Sequence, residues 1–308
     1  MGKVAVVGSY IVALEMEADR FPYAGETVVG RNYHVTHGGK GSNMACCAAR
    51  LGAESIFVAK IGRDPFGDGL MELIAREHVS SKAVMHSKLP TGVGFIVCGP
   101  RATNIIVIDM GANADLLPED IERHRQTIEG CDVVLSPLEI PLETALAGMR
   151  LAREKGLWTI LNPAPAVNLK GVDLSSVFTL TPNETEARVC LGLPPDANVT
   201  DEETALQLLE LGPANVVITL GERGALWASR EGLRHFPALP VAVVDTVGAG
   251  DAFNAGLATA LSERWPFEES LRMAIIAASL STRKRGTIES YPYRAEVDAH
   301  LSAGSAAC

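Results

Sequence analysis

The run Asp245-Thr246-Val247-Gly248-Ala249-Gly250-Asp251 leads straight into a string of small residues, Ala252 to Leu261. A glycine-rich turn opening a helix gathers unpaired backbone N–H groups at the positive end of the helix dipole, where phosphate is attracted. Gly248 and Gly250 carry no Cβ, so an anion can approach the main chain closely. Asp251 falls in the first turn of that helix, and taken alone it reads first as an N-cap. A carboxylate beside a phosphate cradle also suits a general base that takes a hydroxyl proton during phosphoryl transfer. The companions of the turn decide between the two.

Gly38-Gly39-Lys40-Gly41-Ser42-Asn43 precedes the first long helical pattern. Lys40 is followed by Gly41 rather than Ser or Thr, and the upstream glycine spacing fails, which argues against a Walker-type P-loop. The segment is either a turn that caps a helix or one that offers the backbone donors of Gly39 and Gly41, with the Asn43 amide, to a polar ligand. Thr181-Pro182-Asn183-Glu184-Thr185-Glu186 is a sound helix start in its own right. Asn183 and Glu186, three apart on one helical face, are also spaced to organise phosphate and hydrated Mg2+. Thr219-Leu220-Gly221-Glu222-Arg223-Gly224 follows a strong strand pattern and reads as an ordinary turn or as a nucleotide platform at the carboxyl edge of a sheet.

The elements that must position these segments alternate along the chain. Short apolar runs at 4–7, 55–61, 133–135, 158–161, 177–180 and 216–220 predict buried strands. Periodic segments at 43–51, 68–77, 118–128, 142–154, 184–191 and 202–211 predict helices. This order predicts an α/β fold, a mainly parallel sheet with helices on both faces. Residues 10–36, together with 93–97 and 104–108 around the turn Gly99-Pro100-Arg101, read instead as antiparallel strands, either a small sheet beside the main body or two edge hairpins. One domain over 1–308 suffices, and the tail 301–308 is expected to fray.

Composition narrows the classes. Of 308 residues, 47% are hydrophobic and 21% charged, so bulk disorder is excluded. A net charge of −10 argues against a nucleic-acid partner, and no apolar run approaches a membrane span. Residues 1–8 read as a buried first strand rather than a signal peptide, because Glu15, Glu17 and Asp19 follow at once. Six scattered cysteines without C-x-x-C spacing point to a reducing, cytoplasmic compartment and away from zinc. His34 and His37 lack a third ligand nearby. The absence of G-x-G-x-x-G after the first strand weakens a nicotinamide oxidoreductase reading.

Seven segments in this order resemble the ribokinase family of sugar kinases, the phosphofructokinase-B type: Phe21-Pro22 with Gly25-Glu26-Thr27, residues 38–43, Gly111-Ala112-Asn113, residues 161–166, residues 181–186, Thr219-Leu220-Gly221, and residues 245–251. The resemblance covers nearly the whole chain. It implies a ribokinase-like fold whose small sheet, about 10–36 and 90–110, serves as a lid and permits a homodimer. It implies an ATP-dependent kinase in which Asp251 deprotonates a primary hydroxyl of a pentose-like sugar or related polyol. Gly248, Ala249 and Gly250 would form an anion hole. Gly38, Gly39, Lys40, Asn43 and Glu139 would hold the sugar. Asn183, Glu186, Thr219, Gly221, Glu222, Gly224, Gly250 and Ile275 would hold ATP, with Glu186 reaching Mg2+ through water. Asp245, Val247, Ser281, Lys284, Gly286 and Ser290 match the family's monovalent cation site, usually K+, several through backbone carbonyls.

One departure bears on the substrate. Members typically carry Asn and Asp, two residues apart, just after the first strand, where Ile11 and Ala13 stand here. The exchange argues against ribose and fits an acceptor with fewer hydroxyls, such as a deoxy sugar or a nucleoside. Two alternatives therefore accompany the sugar kinase: a nucleoside kinase on the same fold, and a catalytically silent sugar- or nucleotide-binding regulator.

Overall fold

Four successive buried residues, Val4-Ala5-Val6-Val7, mark β1 (Lys3–Val7) as a strand covered on both faces. The computed structural model describes residues 1–100 and 103–305; Arg101 of the expected turn and residues 306–308 of the expected frayed tail, Cys308 included, lie outside them. After β1 come β2 (Ile11–Glu17), β3 (Arg31–Gly38), α1 (Lys40–Arg50), β4 (Glu54–Ile61), α2 (Pro65–Arg76) and β5 (Ser80–His86). Next are β6 (Gly92–Cys98), β7 (Asn104–Asp109), α3 (Pro118–Arg123), α4 (Arg125–Glu129), β8 (Val133–Pro137), α5 (Leu142–Glu154) and β9 (Trp158–Asn162). Then follow β10 (Thr179–Leu180), α6 (Glu184–Cys190), α7 (Asp201–Leu209), β11 (Asn215–Thr219), β12 (Ala225–Ser229) and β13 (Gly232–Phe236). The chain closes with α8 (Ala249–Ser262), α9 (Phe267–Ser281) and α10 (Arg294–Ser305).

Among these residues the main sheet runs β13-β12-β11-β10-β9-β8-β1-β4-β5. It is parallel from β11 to β5, with β12 and β13 added antiparallel at one edge. One face packs a core around Met44, Phe57, Phe253, Leu257 and Leu271, so α1, α8 and α9 lie there. The other packs Leu146, Met149, Ala187 and Leu208 from α5, α6 and α7. The expected α/β architecture is present.

The smaller sheet runs β3-β2-β6-β7. Each hairpin is antiparallel, as expected, but the two join through a parallel β2–β6 pair. The chain between those strands is long enough for the crossover that a parallel pair requires.

Several expected elements change, among them α2, which starts at Pro65 rather than 68. The helix at 118–128 breaks into α3 and α4 at His124, whose N–H is shared between the carbonyls of Asp120 and Ile121. The strand at 177–180 shrinks to β10, because the Val177 N–H turns back to the Leu174 carbonyl. The helix expected from residue 43 starts at Lys40, directly after Gly39. Gly39 sits at φ 88°, and a Cβ there would stand 2.7 Å from the Ile11 nitrogen, so only glycine permits so close an approach. No helix among the described residues is long and apolar enough to cross a membrane.

Candidate active site

Parallel strands deliver their carboxyl ends to one edge of the sheet, where open α/β folds leave room for ligands. Here the ends of β9, β10 and β11 meet the first turns of α1, α6 and α8 around a cavity of about 200 Å3. Lys40, Asn183, Glu186, Thr219, Gly248, Gly250 and Asp251 all line it. Asn162, Ala164, Thr181, Thr246 and Asn254 complete the wall.

Asp251 occupies the first turn of α8 and is 4% exposed. Gly248, left-handed at φ 79°, caps the helix. The amides of Gly248, Gly250 and Asp251 make no hydrogen bond among the described residues, whereas the Ala249 N–H is engaged by the Thr246 carbonyl at 3.2 Å. Of the expected anion-hole trio, Gly248 and Gly250 line the cavity, whereas Ala249 does not and its N–H is already taken.

Burial pushes the Asp251 carboxyl up to about 6, and the negative charges of Glu139 and Glu186 add to the shift. The Lys40 ammonium and a hydrogen bond from Asn43 oppose it. That bond runs from Asn43 Nδ2 to Asp251 Oδ2 at 2.8 Å, between two buried side chains. Asn43 Oδ1, also buried, has no partner among the described residues. Lys40 is held protonated chiefly by Asp251, with Glu139 and Glu186 contributing. The result is an uneven cluster, one cation among three carboxylates, with one carboxyl poised to titrate near neutrality.

Glu139 braces the start of α1. Its Oε2 accepts from the Ser9 hydroxyl at 2.5 Å and from the Lys40 backbone N–H at 2.7 Å, placing a negative charge at the positive helix end. Gly38 and Gly39 precede it, their carbonyls accepting from the Ser42 hydroxyl at 2.8 and 3.1 Å.

Asn183 and Glu186 form a reciprocal capping box at α6. Asn183 Oδ1 accepts from the Glu186 N–H and Glu186 Oε2 accepts from the Asn183 N–H, both at 2.8 Å. Burial raises the Glu186 carboxyl, against that backbone bond and the charge of Lys40. Thr219, at the end of β11, pairs with Asn183 and donates its N–H to the Pro182 carbonyl at 2.9 Å. Gly221 and Glu222 follow in an exposed tight turn closed by Leu220 N–H to the Gly224 carbonyl at 2.8 Å, and Gly221, Glu222 and Gly224 do not line the cavity. Ile275 is also elsewhere, on α9, lining a second, largely apolar cavity of about 600 Å3 beside Phe236, Leu239 and Trp265.

The expected cation residues gather beside the glycine turn at 248–250. Asp245 accepts from the Val247 N–H at 3.1 Å and from the Gly286 N–H at 3.0 Å, tying the two loops together. The Ser281 and Ser290 hydroxyls turn to the carbonyls of Ala278 and Thr287. Lys284 points outward, 4.0 Å from Glu296, and so keeps its charge away from that pair of loops. Among the described residues no group of three His, Cys, Asp or Glu side chains is arranged to hold a metal ion.

Sequence reasoning assigned no role to Asn162, Thr181 or Asn254. Asn162 Nδ2 donates to the Thr181 carbonyl at 2.7 Å, the Thr181 hydroxyl donates to Asn254 Oδ1 at 2.6 Å, and Asn254 Nδ2 donates to the Gly250 carbonyl at 2.8 Å. This chain of bonds ties the strand ends to the glycine turn that opens α8. Asn254 had a visible signal: an amide inside a run of small apolar helical residues demands a buried partner.

The profile of the pfkB family carbohydrate kinases matches residues 1–294. The chain is 37% identical over 305 residues to a ribokinase of Bacillus subtilis, covering 98% of this chain and 100% of that one. It is 34% identical over 305 residues to a deoxyribokinase of Salmonella typhi, covering 97% and 98%. It is also similar to the structure of an Arabidopsis thaliana ribokinase complexed with ribose and ATP, with TM-score 0.87, 30% identity, and coverage of 96% and 97%.

Proposed function

The chain belongs to the pfkB family of carbohydrate kinases and is a sugar kinase, and we propose that it transfers the γ-phosphoryl group of ATP to a primary hydroxyl of a pentose-like sugar or related polyol. The observation that carries this reading is Asp251: a buried carboxylate raised to about 6, beside free backbone amides and steered by Asn43.

Asp251 takes the hydroxyl proton as the sugar oxygen bonds to the γ-phosphorus. The bond from that phosphorus to the bridging oxygen breaks, and ADP leaves with the electron pair. The Gly248 and Gly250 amides and the start of α8 stabilise negative charge on the transferred group. Lys40 holds Asp251 ionised and faces the phosphate cavity. Glu186 suits Mg2+ held through water, since the cavity exposes its carboxylate to a hydrated cation. When bound there, the ion supplies charge neutralisation on the phosphates. The linked loops at Asp245, Val247 and Gly286 suit K+ in the same way, with Lys284 turned aside.

For the acceptor we favour a deoxy pentose over ribose. Ile11 and Ala13 share one face of β2, paired with Gly38 and Thr36 on one side and Gly92 and Gly94 on the other. Neither Ile11 nor Ala13 has a side-chain group that could hydrogen-bond an acceptor hydroxyl. We do not assign Glu15 to the missing carboxylate's place, since it is engaged by His34, 3.2 Å away, and by the Thr36 hydroxyl, which donates to it at 3.5 Å. The deoxyribokinase relative supports this choice. A nucleoside acceptor is the second reading, favoured by the same apolar face.

The smaller sheet acts as the lid, and its exposed apolar strand, Ile105-Ile106-Val107-Ile108, supports a lid-to-lid homodimer. Among the described residues, five free thiols, four of them buried, suit a reducing compartment, and we assign the enzyme to the cytoplasm.

The deciding experiment measures ADP release with Mg2+ and K+ across ribose, deoxyribose, ketohexoses, polyols and nucleosides. Acceptor-dependent release, highest with deoxyribose, is expected. ATP binding with no transfer to any acceptor would establish a silent regulator instead.

A further inference from the structure

Asn254 is 1% exposed and sits in α8 among Ala252, Phe253, Ala255 and Gly256. A buried amide inside a helix is costlier than an alanine there unless its polar atoms are used. Both ends are used. Nδ2 donates to the Gly250 carbonyl at 2.8 Å, and Oδ1 accepts from the Thr181 hydroxyl at 2.6 Å. These partners fix which way the amide faces, because a flipped amide would set Oδ1 against a carbonyl oxygen. Thr181 is itself held: its N–H donates to the Leu161 carbonyl at 3.0 Å, and its carbonyl accepts from Asn162 Nδ2 at 2.7 Å. The amide is therefore anchored to the carboxyl end of β9 and the residue after β10.

It holds the part of the glycine turn that packing leaves free. Gly248 is steadied by its neighbours, since a Cβ there would stand 2.7 Å from the Tyr291 hydroxyl and 3.3 Å from Thr287 Cγ2. The Ala249 N–H is tied to the Thr246 carbonyl. Gly250 is exposed, and a Cβ built on it would meet nothing within 4 Å. No other side chain among the described residues bonds the peptide between Gly250 and Asp251. That peptide is planar, so fixing its carbonyl fixes the direction of the Asp251 N–H at its other end. The Asp251 N–H is unpaired among the described residues, and first-turn N–H groups point out of a helix at its start. The Gly250 carbonyl also stands at helical spacing from the backbone N–H of residue 254. A second donor on that oxygen polarises the peptide and strengthens the N–H opposite.

We propose that Asn254 is a positioning residue for the anion hole: its side-chain amide fixes the Gly250–Asp251 peptide with the N–H toward the phosphoryl group in transfer, and Thr181 sets the amide. The role rests on the reading of this turn as the place where charge on that group is stabilised. It is exerted mainly in the transition state, where that charge develops. Asn254 is neutral and acts on the peptide, whereas the groups that act on the Asp251 carboxyl are Lys40, Asn43, Glu139 and Glu186.

The test compares two variants of the full chain. Asn254→Leu has similar size and no donor, and it leaves the Thr181 hydroxyl a second acceptor, the Leu161 carbonyl 3.3 Å away. Asn254→Ser keeps a donor, because a serine hydroxyl bonds back to the carbonyl four residues earlier. N254L is expected to lower kcat roughly 10- to 100-fold, less than outright removal of an oxyanion donor. The KM values of ATP and acceptor should stay within about threefold, and N254S should recover most of the loss.

A second readout needs no turnover. ADP with aluminium fluoride and Mg2+, in the presence of ribose or deoxyribose, whichever turns over faster, mimics the phosphoryl group in flight. Its affinity relative to ADP alone should fall in N254L by about the factor seen in kcat. Thr181→Val, which only frees the amide, should move both readouts the same way by less and add little on top of N254L. The pH midpoint of turnover should match that of the parent. If the parent binds ADP no more tightly with aluminium fluoride than without, the anion-hole reading of the turn fails and this role with it. If the parent shows that preference and N254L keeps it, the anion hole stands and the proposal is overturned. Parallel losses of ATP affinity, mimic affinity and Tm in both variants would leave Asn254 a packing residue. A shifted pH midpoint would also overturn the proposal, by placing the effect on the carboxyl.

Discussion

The side-chain amide of Asn43 meets Asp251 Oδ2 at 2.8 Å across 208 positions of sequence. The helix that supplies Asn43 also supplies Lys40, so one element both orients the carboxylate and sets its charge. The start of that helix is fixed in turn by Glu139 and by the glycine turn behind it. The site is thus assembled by long-range contacts around a single carboxyl.

Asp251→Asn is expected to lower kcat by roughly 10^2- to 10^4-fold, the range for loss of a general base. Nucleotide affinity should stay within about threefold, since the amide retains the shape and the turn retains its N–H groups. Single-turnover rates beside an equilibrium ATP titration separate these quantities. Turnover at the parental rate would remove Asp251 from the chemistry.

Activity is expected to rise with pH through a midpoint near 6 as Asp251 loses its proton. Lys40→Met removes the main charge holding that carboxyl down, so the midpoint should move higher. A pH–rate profile of both proteins at one ionic strength checks the sign. A midpoint that stays put, or falls, contradicts the assigned electrostatics.

Glu139→Ala strips the acceptor from the Ser9 hydroxyl and the Lys40 N–H. Loss of such a helix-start acceptor costs about 1–2 kcal/mol. Thermal melts should show a lower Tm, and the KM of the acceptor should rise more than that of ATP. Equal shifts in both constants would place Glu139 outside the acceptor site.

Introducing Ile11→Asn with Ala13→Asp should improve ribose use. A hydrogen bond to a charged carboxylate contributes about 1.5–3 kcal/mol, or roughly 10- to 150-fold in affinity. The ratio of kcat/KM for ribose over deoxyribose reports the change. An unaltered ratio would mean that this strand does not read the acceptor.

Much of this architecture was legible because periodicity and glycine placement are local signals. The strand–helix alternation announced the sheet, and the order of the short segments announced the family. The edge strands of the main sheet escaped: β5 and β13 lie at its two ends, and β13 has an exposed pattern without the apolar run that betrays a buried strand; β12, paired beside it, escaped with it. The break at His124 escaped too, since no Pro or Gly marks it. Within the site, residue types reported what Asp251 and Glu186 could do but not their surroundings. Neither the inward placement of Thr181 and Asn254 nor the meeting of Tyr291 with Gly248 leaves a trace in spacing. Such pairings depend on which helix covers which strand, and only the fold states that.

Gly39 is the sole residue between the end of β3 and the start of α1. On the proposed reading of the smaller sheet as a lid, a strand and a helix joined by one residue packed against Ile11 would move together, so a tilt of that sheet would carry the start of the helix that bears the ammonium and the amide. Discrimination among acceptors would then fall on speed more than on grip: a molecule too small to draw the sheet inward would find its seat while the machinery beneath it stayed out of alignment and the nucleotide survived intact.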